Sequence, residues 1–112
     1  VGVVLTTPPF PYDRKRIDAP VGLPVLLDPA DAPHLHYGEV GLDAAGRLVT
    51  SGLYGWTMVV TGTGPTIARA RTAAYARVAR VRIPDMRYRR DIGAALARHG
   101  LARLAKLGLL DS

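Results

Sequence analysis

The chain has 112 residues, 48% of them apolar and 21% charged, with no cysteine and a formal net charge of +6. That balance fits one globular domain and excludes a disordered chain. It also excludes disulfides and thiolate metal sites, and the missing cysteines fit a cytoplasmic setting. No apolar run approaches the roughly 20 residues of a membrane span. Pro8, Pro9 and Pro11 arrive too early for a secretory signal. Opening on Val1 instead of methionine, the sequence reads as a piece of a longer protein.

Val1 to Thr7 is β-branched and short and predicts a buried strand. The PPFPYDRKR segment then excludes helix and central strand alike. Leu23 to Leu27 is a further apolar run of strand character, and DPADAP at 28–33 reads as turn. Leu35 to Val40 predicts a strand, Asp43 to Gly46 a turn, and Arg47 to Ser51 the returning strand of a hairpin. Gly52 and Gly55 flank Leu53-Tyr54, which marks a bulge or a place where backbone approaches something closely. Trp56 to Thr61 is another strand. Helical spacing of Ile67, Ala70, Ala74, Tyr75, Val78 and Val81 predicts the main helix from about 65 to 82, stopped by Pro84. Thr63, Gly64 and Thr66 are each competent as its cap. Arg69, Arg77 and Arg80 fall off the apolar stripe and are expected in solvent. Val81–Ile83 and Met86–Tyr88 can each supply a short strand. Ile92, Leu96, Leu101, Leu104, Leu107 and Leu110 then space as a C-terminal helix, expected to dock on the core, with Gly108 as a stop.

This order predicts an α+β fold: a small antiparallel sheet or half-barrel, one packed helix, and a C-terminal helix. The expected division is residues 1–96 as the domain and 97–112 as a helical extension.

Charge is uneven, with four basic and six acidic residues in 1–50 against eleven and three in 51–112. A freestanding basic nucleic-acid-binding module is therefore one reading, and a scaffold that recruits a partner through its C-terminal leucines is another. Only Tyr75 and Tyr88 fall among those arginines, which disfavours nucleic acid. His34 and His36 would share one strand face, but a metal site needs a third converging ligand, and none is expected. Ser51-Gly52 and Gly62-Thr63-Gly64 are small-residue turns that carry weak evidence for anion binding. No P-loop, nucleophile elbow or HExxH motif supports catalysis by this chain alone. Asp91 suits either an ion pair with Arg89, on the same strand face, or a helix cap.

Thr66-Ile67, Ala70 and Ala73-Ala74-Tyr75, followed in register by Tyr88-Arg89-Arg90-Asp91-Ile92-Gly93, resemble the C-terminal domain of glycinamide ribonucleotide synthetase, a phosphoribosylamine–glycine ligase of the ATP-grasp superfamily. The resemblance covers residues 1 to about 96. It implies a domain that walls the active-site cleft of a purine-biosynthetic ligase and is inactive alone. The partners it implies are upstream ATP-grasp domains of the same chain, which would hold ATP and Mg²⁺, and a small-molecule substrate. It places substrate contact at His36, Gly38, Thr50, Ser51 and Gly52. Where the family hairpin continues Gly-Gly-Arg, this chain has Gly52-Leu53-Tyr54. Arginine binds oxyanions with a planar fork, whereas tyrosine brings one uncharged hydroxyl. The resemblance therefore implies a phosphate site that is lost and an acceptor that has changed. Arg47, the nearest cation on the returning strand, points away from position 54 unless a bulge intervenes.

Overall fold

The computed structural model describes residues 1–8, 10, 21–52 and 54–110. Pro9, Pro11, Arg14, Lys15 and Leu53, to which the sequence drew attention, lie outside the described residues.

Strand β5 (Trp56–Thr61) is the middle of an antiparallel three-stranded sheet, between β1 (Gly2–Thr6) and β2 (Leu35–Tyr37). Val3 pairs with Val60 and Leu5 with Met58, so their side chains fall on one face and all four are fully buried. Gly2 and Val4 alternate onto the exposed face, which corrects the expectation of a strand buried throughout. The physical reason is that the helix covers only the Val3–Leu5 side, as a one-sided antiparallel sheet permits.

That helix, α1 (Ile67–Val78), is shorter at both ends than the predicted 65–82. Thr66 is the cap among the three competent residues: its hydroxyl accepts the Arg69 amide at 3.1 Å. At the other end the chain tightens, with Arg80 N–H reaching Arg77 O and Val81 N–H reaching Val78 O. Ala70, Ala74 and Val78 are buried, as the stripe predicted, and Val81 and Ile83 extend the same core beyond the helix end. Small alanines let α1 lie close on the sheet. At Gly62, where β5 ends, a β-carbon would overlap the backbone of Ala70 and Ala74. Gly62 and Gly64 are thus points of close helix approach.

The strand expected over 35–40 divides. β2 stays with β5, while β3 (Val40–Leu42) pairs with β4 (Leu48–Thr50) in a separate two-stranded sheet. Gly38 and Glu39 carry the chain across, with both of their amides still bonded to the 56–57 backbone. The turn at Asp43–Gly46 is as predicted, closed by the Asp43 carboxylate accepting the Ala45 and Arg47 amides. The 23–27 run bridges the two halves. Val25 N–H reaches Leu48 O, and Leu26 exchanges two backbone bonds with Arg82. The segments at 82 and 87 form isolated bridges to Leu26 and Thr6 instead of full strands.

Residues 29–34 are not mere turn. They form a short 3-10 helix (Pro29–His34) capped by Asp28. Its Asp31 is buried and receives a two-pronged bond from Arg80, at 2.6 and 2.9 Å. Arg77 lies 4.0 Å from the same carboxylate and donates to Thr61 O at 2.8 Å. Arg77 and Arg80, expected in solvent, instead fasten the helix end to a buried acid, because a buried carboxylate needs a partner.

The helix is also locked to the chain that follows it. Tyr75 Oη donates to Arg89 O at 2.6 Å and accepts the Ile92 amide at 3.2 Å. Arg71 donates to Ile92 O at 2.7 Å and Arg90 O at 2.9 Å, with its guanidinium over the Tyr75 ring. Arg89 and Asp91 form the expected pair, bidentate at 3.0 and 2.7 Å.

The C-terminal helix is interrupted at Gly100 by a wide turn (Leu96–Gly100) before α2 (Leu101–Lys106). Gly108, at φ +68°, stops it as predicted: Gly108 N–H bonds Ala105 O and Leu109 N–H bonds Leu104 O. It does not dock as expected. No residue of either segment is buried, and Leu101, Leu107, Leu109 and Leu110 are exposed. The core cluster runs through Val78, Val81 and Ile83 and takes in no residue beyond Ile92.

Two outcomes test this packing. Tyr75→Phe removes both hydroxyl bonds and should cost about 1–3 kcal/mol of unfolding free energy, read by urea denaturation. The Arg80 hydrogen bonds, more than the neighbouring charges, hold Asp31 below its ordinary value of 3.8 against the opposing effect of burial. A depressed folded-state pKa gives stability that is complete above 3.8 and is lost as pH falls through the lower value. Asp31→Asn should therefore lower the melting temperature at pH 7, and the gap from the unsubstituted chain should narrow in acid.

Candidate functional site

The residues singled out in the sequence gather around the junction between the two sheets, though not all alike. Gly38 lies beneath Trp56, and a β-carbon there would clash with the indole and sit 2.8 Å from Trp56 O. Ser51 is exposed, and its amide donates to Glu39 O at 3.0 Å. Gly52 faces the Glu39 side chain with no room for a β-carbon. These three surround Glu39.

Thr50 is buried and turned inward. Its hydroxyl accepts the Leu23 amide at 3.0 Å, and its backbone bonds Leu23 O and Gly22 N–H. It fastens the hairpin to the 23–27 run. His36 stands further along the outer face, its ring 3.3 Å from the Thr61 hydroxyl. His34 ends the 3-10 helix, so the two histidines do not share a strand. Among the described residues no three of His, Asp or Glu converge as a cation site.

Gly52 and Gly55 do bring backbone close to other groups. Gly55, at φ +82°, presses its α-carbon on Thr7 O, and its own carbonyl accepts the Thr7 amide at 2.8 Å. The Glu39 carboxylate accepts the Tyr54 and Gly55 amides at 3.1 and 3.0 Å. Arg47 lies at the opposite end of β4, paired with Asp43 at 2.9 Å, and does not stand in for a cation beside Tyr54. Arg89 and Arg90 do not join this junction either: Arg89 is held by Asp91 and Arg90 stacks on Tyr88.

A family model described as phosphoribosylglycinamide synthetase, C domain, matches residues 1–95. The chain belongs to this family. It is 34% identical over 97 residues to a phosphoribosylamine–glycine ligase of Streptomyces coelicolor, covering 87% of this chain and 23% of the relative. It is 37% identical over 93 residues to the ligase of Escherichia coli, covering 83% and 21%. The crystal structure of the Thermotoga maritima phosphoribosylamine–glycine ligase superposes with a TM-score of 0.61 at 31% identity, over 79% of this chain and 20% of that one. The chain thus spans about a fifth of the length of the relatives it matches, and the α+β architecture of small antiparallel sheets is theirs. The match ends where the exposed C-terminal helix begins. Among the described residues, no helix is long and apolar enough to cross a membrane.

Proposed function

We propose that this chain acts as the C-terminal domain of a phosphoribosylamine–glycine ligase-like protein of purine biosynthesis. The observation that carries the reading is the family match over residues 1–95. In this reading the domain works in the cytoplasm beside upstream ATP-grasp domains of the same chain, and ATP and Mg²⁺ bind there. No converging acidic set among the described residues fits a divalent cation here. The domain's part is to wall one side of the cleft with the junction at Gly38, Ser51 and Gly52. That junction is suited to the task because its backbone is fixed on both sides. Gly38 and Glu39 amides are tied to β5, and Ser51 N–H is tied to Glu39 O. A wall held by backbone bonds presents its surface without an ordering cost when substrate arrives.

Isothermal titration of the 112-residue chain with ATP should give no Mg²⁺-dependent heat, and tight binding would contradict the reading. In the full-length protein, Ser51→Trp places a bulky ring on the proposed wall. It should raise the acceptor KM at least tenfold while leaving the KM for ATP within about twofold. An unchanged acceptor KM would remove the hairpin from the cleft.

A further inference from the structure

Glu39 stands where the chain leaves one sheet for the other, and its carboxylate is received by backbone. Oε1 accepts the Tyr54 amide at 3.1 Å and Oε2 accepts the Gly55 amide at 3.0 Å. Gly52 lies against the same carboxylate, leaving no space for a side chain. Gly55 has φ +82°, the left-handed conformation that one residue of a concave pair of amides adopts when both N–H groups converge on an anion. Among the described residues no arginine or lysine forms an ion pair with Glu39. Each of its two oxygens accepts a peptide amide.

The root of the side chain is held as well. Glu39 N–H is shared between Trp56 O and Thr57 O, both at 3.1 Å, and Glu39 O accepts Ser51 N–H at 3.0 Å. The carboxylate is therefore delivered to the two amides by a fixed backbone. Delivery by a fixed backbone raises the effective concentration of the carboxylate above the roughly millimolar value of a flexible tether, so a free anion at tens of millimolar does not displace it. An anion arriving beside it would also meet like charge.

We propose that the Tyr54 and Gly55 amides form an oxyanion-binding nest that Glu39 keeps filled, so that this hairpin turns away a phosphorylated acceptor. The group it admits is uncharged or an amine. The substrate consequence rests on the hairpin being a cleft wall, whereas the filled nest does not. The two fail separately, because the test below reads binding and no ligase activity.

The experiment follows the Tyr54 and Gly55 amide resonances of the ¹⁵N-labelled chain as inorganic phosphate is added at constant pH and ionic strength. The unsubstituted chain should show no saturable shift up to about 20 mM. Glu39→Ala should show saturable shifts at both amides, with Kd on the order of 1–10 mM for two charged hydrogen bonds. Acetate should move the same two resonances back toward their original positions by restoring a carboxylate. Val59 and Val60 amides, in the middle of the sheet, check that the fold persists, and Glu39→Ser gives the same readout if the alanine variant does not fold. Saturable phosphate shifts in the unsubstituted chain would overturn the proposal. So would a folded variant whose two amides ignore both anions.

Discussion

The close seating of α1 on the end of β5 is the constraint on which the rest of the structure depends. Gly62 has no room for a β-carbon because the Ala70 and Ala74 backbone occupies it. At that separation Val3, Leu5, Met58 and Val60 meet Ala74 and Val78 directly, and a single layer of contacts closes the core. Val1 is drawn in too, since its nitrogen donates to the Gly62 carbonyl at 2.9 Å. Once the helix is fixed there, its polar side chains take determined places. Arg77 and Arg80 reach the 3-10 helix on one flank, and Arg71 and Tyr75 reach residues 89–92 on the other. The helix and the 88–93 segment thus bond each other directly.

Local pattern carried much of this. The apolar stripe of α1, the Asp43–Gly46 turn, the stop at Gly108 and the strand at 56–61 each rest on periodicity or turn chemistry within a few residues. What was not legible depends on partners far away in the chain. Asp31 meets Arg80 across 49 residues, and nothing near either residue announces the pair. The i, i+3 spacing of Arg77 and Arg80 was the available signal, since it places both on one helix flank. The division at Gly38-Glu39 was hidden for a similar reason. LHYGEV has strand composition throughout, and only the pairing partners show that it serves two sheets.

The candidate site shows the same limit. Gly52 and Gly55 signalled close approach correctly, but the approaching groups, Glu39 and Thr7, lie 13 and 48 residues earlier. Thr50 and Gly52 are neighbours in sequence yet play different parts, one fastening the hairpin inward and the other receiving a carboxylate. Matching a motif residue by residue thus does not assign what each member touches. Here the Tyr54 and Gly55 amides are already engaged by an acid of the same chain.

The seating of Trp56 over Gly38 has an optical consequence. It is the only tryptophan in the sequence, and 41% of it is exposed. Its backbone carbonyl is bonded to Glu39 N–H, so the indole stands on the residue pair that carries the chain between sheets. The intrinsic fluorescence of the domain therefore comes largely from this junction, and a change of polarity there shifts the emission without any label. The same ring that denies Gly38 a side chain makes the hairpin visible in solution.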